Sequence, residues 1–172
     1  MSEANNLAEV EVEGEQKQVA NAVQFLSFIL GKEQYAVDIL RVQEIRSWEP
    51  ISRIPNVPSY EKGVVNLRGA IVPVIDLRDK FNLGHAEYTP MTVVVILQTE
   101  INGKNRIMGV VVDAVSNVID IDKTTIQSPP EFGTKVSTEY INGLAAVDEQ
   151  MVMLLDVDKL LKLDDVDDED EN

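Results

Sequence analysis

Apolar residues along this chain fall in short runs, each closed off by turn residues. FLSFIL (25–30) ends at Gly31-Lys32-Glu33-Gln34 and is followed by Tyr35-Ala-Val, which predicts a hairpin. Gly63-Val-Val-Asn-Leu-Arg-Gly69 leads into Ile71-Val-Pro-Val-Ile-Asp76, a second hairpin. VVVIL (93–97) and RIMGVVVD (106–113) flank Asn102-Gly103, a dipeptide that favours tight hairpins because both residues tolerate positive φ. Tyr140–Val147 and Met151–Asp156 make the last pair. Leu77–Phe81 and Val157–Leu163 read as short helices, and 82–90, with Gly84, His85 and Pro90, as a linker. The strand reading is reinforced by 24 Val and 14 Ile, whose branched side chains suit a pleated surface.

The pattern also repeats. Displaced by 80 residues, GVVNLRGAIVPVIDLRDKF (63–81) falls without a gap on GLAAVDEQMVMLLDVDKLL (143–161), matching Gly63 with Gly143, Val72 with Val152 and Asp76 with Asp156. A displacement of 73 puts Val37, Val42 and Ile45 on Val110, Val115 and Val118. Two halves, about 23–81 and 92–163, therefore share one order: hairpin, bent strand, Pro-bearing loop, hairpin, short helix. About five strands per half suggests two small barrels, since closure protects strand edges.

Charge changes the picture mainly at the ends. The chain has 172 residues and a net charge of −15. Residues 1–22 carry −4 and DDVDDEDEN (164–172) carries −7, so the tails supply −11 and the body is nearly balanced. We expect disordered acidic tails at 1–21 and 164–172 around a folded body at 22–163. The acidity argues against a nucleic-acid partner. The absence of cysteine excludes disulfides and thiolate chemistry. No apolar run reaches the length of a membrane span and the N-terminus has no signal-peptide pattern, so the expectation is a cytoplasmic protein without direct membrane insertion.

Candidate chemistry is sparse. There is no phosphate-cradling glycine loop, no nucleophile elbow and no cofactor motif, so no catalytic residue, metal or cofactor is assigned. His85 reads as a loop histidine. Asp76 and Asp156 end apolar strands just before short helices, where aspartate caps free N–H groups. Asp120 and Asp122 would share one strand face, which is thin evidence for a cation site. A hydrolase would need paired carboxylates in a pocket. A nucleic-acid module would need a basic, aromatic face, and the chain has four Phe, four Tyr and one Trp.

Two features suggest interaction instead. Gly69 is expected at a positive-φ turn position with Arg68 at the hairpin tip; an ordinary solvated turn arginine is the plainer reading. Ile39–Ile45 reads as a strand with mixed faces, either a bent core strand or one lying between core and groove.

YAVDILRVQEIRSW (35–48), SRIPNVPSYEKGVVNLRGAIVPVIDLRDKF (52–81), GVVVDAVSNV (109–118) and STEYINGLAAVDEQMVMLLDVDKLL (137–161) together resemble the CheW family of chemotaxis coupling proteins. The resemblance implies a mainly β fold of two five-stranded SH3-like barrels with short helices. It implies a non-enzymatic adaptor between the cytoplasmic tip of methyl-accepting chemoreceptors and the regulatory domain of the histidine kinase CheA, in arrays on the inner face of the membrane. It places Gly63 and Gly69 at a kinase-facing end of the first barrel. Val42, Glu44, Ile45 and Val118 are expected to line a receptor groove between the barrels, with Ile45 and Val118 as equivalent walls. Glu44 and Arg68 match charged positions of the family's QEI and NLRG motifs, and we expect them to pair beside that groove.

Overall fold

The computed structural model describes residues 21–49, 55, 59–84, 87–129 and 138–161. Apart from Asn21, the expected acidic tails lie outside the described residues, as do His85 and most of the loop before Tyr60. The strands are β1 (Ala22–Leu30), β2 (Glu33–Asp38), β3 (Val42–Ser47), β4 (Glu61–Leu67), β5 (Ala70–Asp76), β6 (Val93–Ile101), β7 (Lys104–Val112), β8 (Ala114–Asp122), β9 (Ile141–Val147) and β10 (Gln150–Leu155). Short helices follow β5 (Leu77–Lys80) and β10 (residues 157–161).

All four expected hairpins form. Together with β3 and β8 they build two five-stranded sheets, ordered β8-β1-β2-β10-β9 (barrel I) and β3-β6-β7-β5-β4 (barrel II). This is the mainly β, SH3-like arrangement anticipated above. In barrel I the chain leaving β8 closes onto β9, where Gln127 and Leu144 exchange both backbone bonds at 2.9 and 2.8 Å.

The assignment of residues to barrels differs from the sequence expectation. The barrels do not divide as 23–81 and 92–163. Barrel I takes β1–β2 from the first half and β8–β10 from the second; barrel II takes β3–β5 from the first and β6–β7 from the second. The physical reason is local. Ile39–Arg41, expected as strand, is a 3-10 turn whose N–H of Leu40 is capped by Asp38 at 2.9 Å. That turn carries the chain out of barrel I before β3 begins. Asp113, between β7 and β8, makes the return crossing.

The duplication survives this exchange. Replacing β1–β5 by β6–β10, and the reverse, turns one strand order into the other. Leu26 pairs with Val118 as Val95 pairs with Ile45. Asp76 N–H donates to Tyr60 O at 2.7 Å, and Asp156 N–H to Tyr140 O at 2.8 Å, 80 residues on.

Burial explains why the strands read as unbroken apolar runs. Three cores alternate through the molecule. Phe25, Ala36, Val152 and Leu154 fill barrel I, and Val72, Val74, Val94, Ile96 and Val111 fill barrel II. Between them lies a larger core that takes Leu26, Phe28, Tyr35 and Met153 from one sheet and Ile75, Val95, Leu97 and Val110 from the other. Central strands are thus buried on both faces, which the period-2 alternation sends to two different cores.

Candidate functional site

Barrel II carries most of the residues singled out by the sequence. Its β4–β5 hairpin turns through Arg68 (φ 52°) and Gly69 (φ 88°), both left-handed, and Asn66 Oδ1 accepts from Gly69 N–H at 2.8 Å. The primed turn requires that pair of conformations, so Arg68 is held at the tip as expected. From there its Nη2 lies 3.4 Å from Glu44 Oε2 on the edge strand β3. The contact is a single charge contact and not the bidentate fork that the guanidinium could make. Oε2 has no hydrogen bond, so the interaction is Coulombic. Arg46 flanks it, with Nε 3.8 Å from Glu44 Oε1 and Nη1 donating to Asn66 O at 3.4 Å. These contacts tie one sheet edge to the tip of the hairpin at the other.

Val42 is half-buried against the central core, whereas Ile45 and Val118 are 43% and 49% exposed. Ile45 lies on β3 and Val118 on β8, the outer strands of their sheets, at equivalent register positions. A register shift between Val42 and Glu44 interrupts β3, so these residues do not form one regular face.

Gly63 and Gly69 do not share an end of the barrel. Gly69 is exposed at the hairpin turn, whereas Gly63 is buried near the far end of β4, beside a register shift and at φ 142°. Four residues of strand, Val64–Leu67, carry the chain from Gly63 to the turn, about 13 Å at ~3.3 Å per residue. Gly143, the counterpart of Gly63, is required for another reason: a Cβ there would lie 2.4 Å from Ile126 Cγ2.

The carboxylates behave as caps. Asp76 accepts from Arg78 N–H at 3.0 Å and Asp156 from Lys159 N–H at 3.0 Å. Asp122 accepts from the Thr124 N–H and hydroxyl, and these bonds hold its pKa below the usual carboxylate value. Among the described residues, no group of three or more metal-ligating side chains comes together.

Arg78, one of the most heavily bonded side chains among the described residues, was not singled out by the sequence pattern. Arg78, with a 4% exposed side chain, makes two bonds to the fully buried Asp76 (2.9 and 2.8 Å), one to Asp113 (2.7 Å) and one to Glu87 O (2.6 Å). Asp113 in turn accepts from Gly31 N–H at 2.6 Å. Burial opposes the charge on Arg78, but the bonds and charges of Asp76 and Asp113 outweigh it and raise its pKa. Tyr88 donates to Asp76 at 3.2 Å, stacks on Trp48 at 4.4 Å and lies under the guanidinium at 5.0 Å. Burial, the Asp76 charge and that bond push its phenol up to about 12. One signal was available in the sequence. An arginine in the first turn of a helix opposes the helix dipole and calls for compensating acids.

A corresponding cluster stands at the other crossing. Arg41 Nη2 bonds Asp158 at 3.1 Å and Nη1 bonds Thr99 at 3.3 Å, while the Thr99 hydroxyl donates to Asp158.

Residues 24–165 match the CheW-like domain family. The chain is 46% identical over 143 residues to the chemotaxis protein CheW of Klebsiella aerogenes, covering 83% of this chain and 84% of that protein. It is 33% identical to the chemotaxis protein CheW of Treponema pallidum, covering 80% and 81%. The crystal structure of the scaffolding protein TtCheW from Thermoanaerobacter tengcongensis superposes with a TM-score of 0.72 at 34% identity, covering 79% of this chain and 85% of that one.

Proposed function

The chain belongs to the CheW-like family and so acts as a chemotaxis adaptor and scaffold; from that premise we propose that it joins two partners, methyl-accepting chemoreceptors and the histidine kinase CheA. The observation that carries this reading is the match from residue 24 to 165, which takes in both barrels and every strand but the first residues of β1. The adaptor performs no chemistry of its own in this reading. It works at receptor arrays on the inner face of the membrane. No helix among the described residues is long and apolar enough to cross a membrane, so attachment runs through the partners.

The receptor's helical tip takes the surface bearing Ile45 and Val118, with Glu44 and Arg68 at its border and Val42 supporting it from the core. Apolar anchors on two equivalent edge strands suit a helix laid against them. CheA takes the β4–β5 hairpin of barrel II, where Gly69 shapes the contact directly. Gly63 acts from within by allowing the irregular start of β4. Signal passes only if the two receptor states differ in affinity for this surface, since equal affinity would shift no equilibrium.

Pull-downs with a receptor-tip fragment and with the CheA regulatory domain test the assignment. Val118→Trp should lose receptor binding and keep CheA binding. Gly69→Asp, at a position where a Cβ meets no atom within 4 Å but φ is +88°, should do the reverse, with backbone strain of about 1–2 kcal/mol lowering the melting temperature by several degrees and leaving the protein folded. Wild-type protein that captures neither partner would overturn the reading.

A further inference from the structure

The chain passes between the barrels twice, at Ile39–Arg41 and at Asp113, and each crossing is held by an arginine–aspartate clamp of opposite polarity. In one, Asp113 is the crossing residue, Arg78 comes from the helix that follows β5 of barrel II, and Gly31 N–H reaches in from barrel I. In the other, Arg41 is the crossing residue, Asp158 comes from the helix that follows β10 of barrel I, and Thr99 reaches in from β6 of barrel II. Arg78 and Asp158 are partners under the 80-residue displacement, so the duplication has kept the clamp and exchanged its charges.

The two clamps are not equally firm. In the pair that spans the crossing Arg78 is 4% and Asp113 31% exposed, and within barrel II Arg78 is further held by the fully buried Asp76, to which Tyr88 donates, and by Glu87 O. Arg41 and Asp158 are 37% and 52% exposed. They border an open, solvent-filled depression of about 460 Å³ whose other lining residues, Phe25, Lys123 and Ile126 among them, belong to barrel I. Solvent-exposed pairs of this kind are screened by salt, while buried and partly buried ones are screened much less.

We propose that the barrels rock about the buried Arg78 crossing as a hinge, with the Arg41–Asp158–Thr99 crossing as the side that opens. Rocking changes the relation of β8 to β3, the strands that carry Val118 and Ile45. It is thus the internal motion by which one partner's state reaches the other, and to that extent it rests on the adaptor reading.

The chain lacks cysteine, so nitroxide labels can be placed at will. Lys123→Cys with Glu100→Cys spans the exposed crossing, and Lys32→Cys with Glu87→Cys spans the buried one. Pulsed electron–electron distance measurements should show two narrow distributions in the parent protein. Adding Arg41→Glu should widen the first distribution at least about twofold and leave the second unchanged. The exchanged pair Arg41→Asp with Asp158→Arg should narrow it again, and 1 M salt, where the screening length is about 3 Å, should widen it in the parent. An unchanged first distribution in Arg41→Glu, or equal widening of both, would overturn the hinge. Distances are read on the free protein, so that failure would leave the adaptor reading standing, and a failed pull-down would leave the hinge standing.

Discussion

The Arg78 and Arg41 crossings occupy equivalent places in a duplicated fold, yet the guanidinium is buried at one and open to solvent at the other. Equivalent position therefore does not fix energetic weight; the surroundings do. At the first crossing a guanidinium has left water, and four hydrogen bonds stand in for its hydration. At the second, water remains available to both charges, so the pair is one option among several.

Breaking the first crossing should have the largest effect. Arg78→Met leaves Asp76 buried without its counter-ion, and urea denaturation should show a loss of about 3–5 kcal/mol. A loss under about 1 kcal/mol would mean that the cluster is far better hydrated than its burial indicates. Overpacking comes next. Gly143→Ala forces Ile126 and the Gln127–Leu144 closure of barrel I apart and should cost about 1–3 kcal/mol in the same assay.

Arg41→Ala sharpens the contrast, since it should cost only about 0–1 kcal/mol. That corresponds to no more than a few degrees of melting temperature at about 2–4 °C per kcal/mol. A similarly small term is expected from Glu44 and Arg68. Glu44→Lys and Arg68→Glu should each leave the fold intact and impair receptor–kinase coupling, while the double reversal should recover part of the coupling. Simple additivity in that double-mutant cycle would show that the 3.4 Å approach carries no functional interaction.

The smallest effect lies at high pH. The Tyr88 phenol titrates near 12 in the folded protein, above its ordinary value of 10. A raised folded pKa favours the native state fully below pH 10, and that contribution declines as pH rises toward 12. Because Tyr88 is 43% exposed, solvent screening keeps the term small. Tyr88→Phe should flatten this part of the stability–pH curve, and an unchanged slope between pH 10 and 12 would assign the alkaline loss to other groups.

The hairpins, the duplication and the Glu44–Arg68 contact were legible because each depends on local pattern or on a motif. Turn residues mark where strands reverse, and a hairpin tip dictates where Arg68 points. The exchange of hairpins between barrels was not legible. Strands buried on both faces carry no record of which sheet they join. Likewise the three residues Ile39–Arg41 continue the apolar alternation of a strand, and only the Asp38 cap betrays the turn. Arg78 escaped notice because a charged residue on a short helix ordinarily faces water, and its burial is decided by Asp113, Glu87 and Tyr88 from elsewhere in the chain.

The exchange of hairpins also sets an order of events during synthesis. Barrel II needs only β3–β7 and can close once Val112 has left the ribosome. Barrel I cannot, because β1 and β2 emerge first while their neighbours β8 and β10 are the last to be made. At about 5–20 residues per second, the oldest hairpin waits several seconds with Phe28, Leu30 and Tyr35 uncovered. The finished barrel II offers it a temporary seat, since those side chains pack into the core that the barrels share. The portion made first is thus the portion finished last, and nascent chains that have emerged from the ribosome only as far as Val112 would carry one completed barrel and one hairpin still awaiting its sheet.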